Sequence, residues 1–215
     1  MFRGNRWQRT CNRHNYLGIF PLTGHAAGEG TPNNDSPYFI ALIKWVMSRY
    51  AVDERRVYLV GFSGGCRRSY WMAAQYPSMI TAIGVASGKI GHKEDAPDLY
   101  TPKASDPPVS ILHIHGELDT RVPLKGGVFT DGEGRKKMVL PTKRAIDIWS
   151  THIGGKLVEP SIPKGAPNHV RTVEYRAASG HRVMAIFDDK LGHKWAKDYA
   201  NEVILRFFES IPVAR

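Results

Sequence analysis

Val57-Tyr58-Leu59-Val60-Gly61-Phe62-Ser63-Gly64-Gly65-Cys66-Arg67-Arg68 is the stretch on which the reading of this chain turns. Residues Val57 to Phe62 are almost wholly apolar, as in a central strand buried on both faces. Gly64 to Tyr76 reads as a helix, stopped by Pro77. Between them stands Gly-x-Ser-x-Gly, a short pattern that elsewhere is often only a polar turn. Here it joins a buried strand to a helix, which is where a nucleophile elbow must lie. Such a turn strains the serine backbone by on the order of 1–3 kcal/mol and crowds its neighbours, and glycines at 61 and 65 are expected to relieve that crowding. It also lifts the Ser63 hydroxyl to the start of a helix, where the dipole favours developing negative charge.

Outward from this centre, strand-like and helix-like stretches alternate, which predicts a mostly parallel sheet with helices on its faces. Tyr16 to Leu22 is an apolar run taken as a strand, followed by a polar loop through Asn34. Ser36-Pro37 supplies an N-cap and a first-turn proline. After it Phe39, Ile40, Ile43, Val46, Met47 and Tyr50 recur at helical spacing. Strands are expected at 80–86 and 109–115, a helix over 141–153, and two late strands at 170–175 and 183–187. A closing helix carries Trp195, Tyr199, Val203, Phe207 and Phe208.

A serine hydroxyl becomes nucleophilic when a histidine takes its proton, and a carboxylate must orient that histidine. In this architecture the order is serine, acid, histidine, on loops after later strands. The strand ending His113-Ile114-His115 runs into Gly116-Glu117-Leu118-Asp119-Thr120-Arg121-Val122-Pro123. Asp119 is the expected acid, with Glu117 as its substitute. The last strand leads through Asp188-Asp189-Lys190-Leu191 to Gly192-His193-Lys194-Trp195, which makes His193 the expected base. His113 and His115 alternate along a buried strand and read as hydrogen-bonded core histidines. His14, His25, His92, His152, His169 and His181 stand in loops, in a helix or at the wrong end of a strand. No His, Asp or Cys cluster stands at metal-ligand spacing, so no metal is expected, and acyl transfer needs no cofactor. Trp195 and Phe62 are expected to contact substrate, whereas Trp71 reads as core.

Bulk properties set the frame. The 215 residues are expected to form a single domain, with residues 1–15 an atypical or truncated start. No apolar run reaches the length that crosses a bilayer, so no membrane is expected as a partner. The first twenty residues hold four arginines and no continuous apolar core of a signal peptide. The chain as given reads as soluble, and a leader upstream of Met1 would make it secreted. A formal charge of +10 invites a nucleic-acid reading. The basic residues, however, fall in small groups without zinc-finger spacing or an aromatic RNA-binding stripe. A solvated basic surface, or attraction to an acidic cell-wall polymer, fits them better. Cys11 and Cys66 are far apart and form no disulfide framework, and Cys66 reads as a small buried side chain.

Three motifs then carry a resemblance: Asp53-Glu54-Arg55-Arg56-Val57-Tyr58 into Gly61-Phe62-Ser63-Gly64-Gly65, Leu112-His113-Ile114-His115-Gly116 through Asp119 to Val122-Pro123, and Gly192-His193-Lys194-Trp195. Over roughly residues 16 to 210 the chain resembles the esterase and polyhydroxybutyrate-depolymerase-like branch of the α/β-hydrolases, which includes feruloyl and acetyl-xylan esterases. The resemblance implies the α/β-hydrolase fold, a Ser63–Asp119–His193 triad and a small-molecule or polymeric ester as substrate. It also implies an oxyanion hole with the Gly64 amide as one donor. The second donor comes, in relatives, from a loop after an earlier strand. Here Arg3, or Phe2, is the residue expected to supply it, and a missing strand would leave a sheet edge exposed. Two other readings stay open: a catalytically weakened hydrolase-like binding protein, and a peptidase of the same fold.

Overall fold

A computed structural model describes residues 6–21, 32–89, 100–130, 134 and 136–213, excluding the side chains of 32–35, 129 and 137. The elbow strand β1 (Tyr58–Phe62) leads into α3 (Gly64–Gln75), which a short 3-10 turn over Pro77–Met79 ends. These are preceded by α1 (Trp7–Arg13) and α2 (Pro32–Arg49). They are followed by β2 (Ala82–Ala86), β3 (Ser110–Gly116), the hairpin β4 (Gly127–Thr130) and β5 (Lys136–Val139), and α4 (Thr142–His152). Then come β6 (Lys156–Leu157), β7 (Arg171–Arg176), β8 (Arg182–Asp188) and α5 (Ala200–Glu209).

The main sheet has the order β1-β2-β3-β8-β7-β6. Its first four strands are mutually parallel, β7 is antiparallel to β8, and β6 is antiparallel to β7. Parallel neighbours require crossovers that lay helices on the faces, so the central strands lose water on both sides. The alternation of side chains shows it. Ile111, Val183, Ala185 and Phe187 face a cluster with Tyr70, Met72, Ile146 and Trp149 of α3 and α4. Leu112, Ile114, Met184 and Ile186 face Val203, Ile204, Phe207 and Phe208 of α5, with Trp7 and Cys11 of α1 alongside. All seven residues of β3 are buried.

The predicted α/β layering holds, with specific departures. Residues 16–21 are not a strand: Tyr16 N–H bonds the Cys11 carbonyl, and the run forms no ladder among the described residues. An apolar run becomes a strand only where a neighbour offers its backbone. Instead the Tyr16 ring tilts over Tyr58, while Leu17, Ile19 and Phe20 stay largely exposed. Consequently β1 is an edge of the sheet among the described residues. Helix α2 begins at Pro32 rather than at Ser36-Pro37, leaving Pro37 inside it. Pro32 suits a first helical position, and Pro37 forgoes one backbone bond early in the helix. The closing helix starts only at Ala200, so Trp195 and Tyr199 precede it, and α1, β6 and the β4–β5 hairpin were not foreseen. Among the described residues no helix is long and apolar enough to cross a membrane.

Candidate active site

Ser63 closes β1 and caps α3 with φ 53° and ψ −114°, a positive φ that a residue with a side chain adopts only under constraint. The constraint is visible on both sides. Ser63 N–H bonds the Ala86 carbonyl of β2, and the Ser63 carbonyl accepts from Arg67 N–H one helical turn on. A Cβ on Gly61 would strike the Gly65 backbone, so only glycine lets the chain fold back there. The second elbow glycine behaves differently: a Cβ at Gly65 would meet nothing within 4 Å, so the crowding expected there is absent. Because Ser63 is the cap, the Gly64 amide is among the first N–H groups of α3, which lack an intrahelical acceptor.

His193 reaches this turn from the loop after β8. Its Nε2 lies 3.0 Å from Ser63 Oγ and its Nδ1 2.9 Å from Asp119 Oδ2. Two loops place Asp119 and His193, and their backbones are bonded together: Glu117 N–H donates to the Asp188 carbonyl and Leu118 N–H to the Leu191 carbonyl. A Cβ on Gly116 would run into the Leu191 carbonyl, so this crossing also depends on glycine. Asp119 is held on its other oxygen, Oδ1, by the amides of Arg121 at 3.0 Å and Val122 at 2.8 Å. Burial alone would raise the Asp119 carboxyl, but hydrogen bonds from His115, His193 and the Val122 amide outweigh it and hold the group well below the usual carboxylate range.

The remaining candidates sort by contact. Glu117, the substitute candidate, pairs with Arg171 at 2.7 Å, and the His193 ring is bonded to Asp119 instead. The Phe62 ring lies 5.1 Å from the His193 ring and backs the base directly. Trp195, expected at the substrate, is instead packed in the core: it is 9% exposed, sits edge-on to Trp7 and Phe62, and donates its indole N–H to Asn201. Trp71 is core, as expected, and so is Cys66, whose thiol burial pushes far above its ordinary value. Arg3 and Phe2 lie outside the described residues, as do His25 and His92. Of the other histidines, His14 pairs with Glu202 and Glu209, His152 meets the Pro107 carbonyl and His181 meets Ser179.

Folding also makes a contact that spacing did not predict. His169 Nε2 comes within 3.1 Å of Asp188 Oδ1, with Asp189 beside it. The three offer ligand atoms within 4.8 Å of one another. Asp188 is already engaged, however, by the Tyr199 hydroxyl at 2.9 Å and the Lys190 amide at 3.0 Å. These bonds anchor the root of the loop that carries His193. The signal that could have pointed to Asp188 is its place as the last residue of a buried strand.

Comparison with known proteins agrees with this picture. Residues 19–97, which include the elbow, match the family described as Esterase PHB depolymerase. Over 115 residues the chain is 26% identical to a bifunctional acetylxylan esterase/xylanase of Neocallimastix patriciarum, covering 53% of this chain and 16% of that protein. Over 141 residues it is 28% identical to a protein named "Probable feruloyl esterase C" of Aspergillus clavatus, covering 59% of this chain and 49% of the relative. The chain thus spans about half or less of the curated relatives it matches. Among solved structures, the acetyl xylan esterase from Aspergillus awamori superposes with a TM-score of 0.69 at 13% identity, covering 97% of this chain and 83% of that one. Its agreement is one of fold. Sheet order and superposition give this chain the α/β-hydrolase fold, and its sequence resembles the esterase and polyhydroxybutyrate-depolymerase group.

Proposed function

We propose that the protein is a serine hydrolase that cleaves carboxylic esters through an acyl-enzyme. The observation that carries the reading is the continuous line from Ser63 Oγ through the His193 ring to Asp119 Oδ2, with bonds of 3.0 and 2.9 Å at the ends of three parallel strands. Ser63 donates its proton to His193 Nε2 as Oγ attacks the ester carbonyl. The imidazolium is stabilised by Asp119, which the hydrogen bonds described above keep ionised. Such a general base contributes roughly 10²–10⁴-fold. The tetrahedral oxyanion develops at the start of α3, where the Gly64 amide and the helix dipole face it; one such donor is worth about 10²–10³ in turnover. Collapse expels the alcohol, which takes the proton from Nε2. Water then attacks the acyl-enzyme by the same route and frees the acid and Ser63.

The acyl group is the finer part of the proposal. The relatives' names point to acetyl and feruloyl esters, and the matched family to hydroxyalkanoate polyesters. Hydrolysis of p-nitrophenyl acetate should be rapid with the wild type and fall by on the order of 10⁴–10⁶-fold in Ser63→Ala. Equal rates for the two proteins would refute the assignment. Acetylated xylan, methyl ferulate and a hydroxybutyrate oligomer, compared by kcat/KM, then rank the natural acyl groups.

A further inference from the structure

His113 and His115 are two apart on β3, so both rings leave the same face of the strand. Both are fully buried, at 1% and 0% exposure, where an imidazole must find partners for both nitrogens. Their planes differ by 4°, their centroids are 5.3 Å apart, and His113 Nε2 lies 3.1 Å from His115 Nδ1. Those values describe rings edge to edge in one plane, as an N–H···N bond requires. Behind His113, the buried Tyr70 hydroxyl is 2.9 Å from Nδ1. Ahead of His115, Nε2 lies 2.9 Å from the Val122 carbonyl and 3.5 Å from Asp119 Oδ2. Thr142 Oγ1 is 3.0 Å from His115 Nδ1.

The Val122 carbonyl fixes the first proton in this line of groups. A carbonyl oxygen only accepts, so His115 carries its proton on Nε2. With one proton on each ring, His115 Nδ1 is bare and accepts from His113 Nε2–H, and His113 in turn accepts the Tyr70 hydroxyl at Nδ1. Burial, with His115 adding to it, pushes His113 well below its ordinary value, consistent with a neutral ring. The donors therefore all run one way, from Tyr70 toward the acid loop.

We infer that Tyr70, His113 and His115 form a positioning relay for Asp119. His115 Nε2–H, aimed by the two residues behind it, holds the Val122 carbonyl and flanks the Oδ2 edge, so the loop presents that oxygen to His193 at one distance. None of the three touches Ser63, so they act only through Asp119. The inference rests on the esterase reading for its kinetic consequence, but not for its geometry.

The test uses His115→Leu, which keeps bulk without a donor, His115→Gln, which restores a donor near the Nε2 position, and Tyr70→Phe, which removes the remote hydroxyl. Displacing a catalytic group by about 1 Å can cost 10²-fold, so His115→Leu should lower kcat by about 10–100-fold with KM nearly unchanged. His115→Gln should recover most of the loss, and Tyr70→Phe should show a smaller loss in the same sense. The low-field proton resonance of His193 Nδ1–H should weaken or shift in His115→Leu and return in His115→Gln. Unchanged kcat per folded molecule in His115→Leu, or a loss that Gln does not reverse while the resonance stays in place, overturns the relay. If His115→Leu does not fold, Tyr70→Phe decides, because wild-type kcat and resonance in that variant contradict the relay. If the wild type hydrolyses no ester, the esterase reading fails by itself and the resonance still decides the relay.

Discussion

The proposed acid and base, Asp119 and His193, come from the middle of the sheet, and the proposed nucleophile, Ser63, comes from its edge. β3 and β8 lie side by side, are covered on both faces, and carry loops bonded to each other at Glu117–Asp188 and Leu118–Leu191. β1 has one ladder partner among the described residues, β2, and all but Gly61 of its residues are only half-buried. Yet the serine at its end sits in the most constrained backbone of the site. Edge position weakens a strand without loosening the turn after it, because that turn is held by Gly61 against Gly65 and by the Ala86 carbonyl of the next strand. Order at a catalytic residue is therefore local to its turn, whereas resistance to unfolding belongs to the strands beneath the acid and base.

Four substitutions press on that contrast. Asp119→Asn keeps the shape of the acid but lets the amide favour the wrong His193 tautomer, so kcat should fall by about 10⁴-fold. Circular dichroism should show an unchanged fold, and near-wild-type turnover would mean the middle of the sheet does not supply the acid. Next, Ile114→Ala in β3 should cost about 2–5 kcal/mol in urea unfolding, since its side chain is fully buried. Leu59→Ala in β1 should cost only about 1 kcal/mol, because Leu59 is only partly buried at the edge. Equal costs would remove the distinction between the two regions. An effect that depends on pH is expected at Glu174 of β7, which is 1% exposed and accepts from Arg176 at 2.7 Å and Arg182 at 2.6 Å. Burial would raise this carboxyl, but the two guanidiniums lower it further than burial raises it. Its stabilisation is thus full above the ordinary carboxylate value and is lost as pH falls through the lowered folded value. Glu174→Gln should destabilise by about 1–3 kcal/mol at neutral pH, with the difference from wild type shrinking in acid. A difference that grows on acidification would contradict the pairing.

The sequence was most legible where a local pattern has one physical solution. Gly61-Phe62-Ser63 between an apolar run and a helix admits an elbow and little else, and the order of Ser63, Asp119 and His193 along the chain picked out the residues that the fold brings together. It was less legible where partners decide. Tyr16 to Phe20 has the composition of a strand but no ladder to join among the described residues, and Trp195 has the look of a pocket wall but is used by Trp7, Phe62 and Asn201 as core. The histidine pair on β3 was read as hydrogen-bonded core, which holds. Its direction toward Asp119 depends on Tyr70, forty-three residues away, and on the Val122 carbonyl, which no sequence spacing reveals.

The most direct measurement is covalent labelling with a fluorophosphonate, followed by mass spectrometry of the peptides. The wild type should acquire one phosphonyl adduct on Ser63, at a rate that falls by several orders of magnitude when His193 is replaced by alanine. An unlabelled wild type, or an adduct on another residue while Ser63 stays free, would contradict the account.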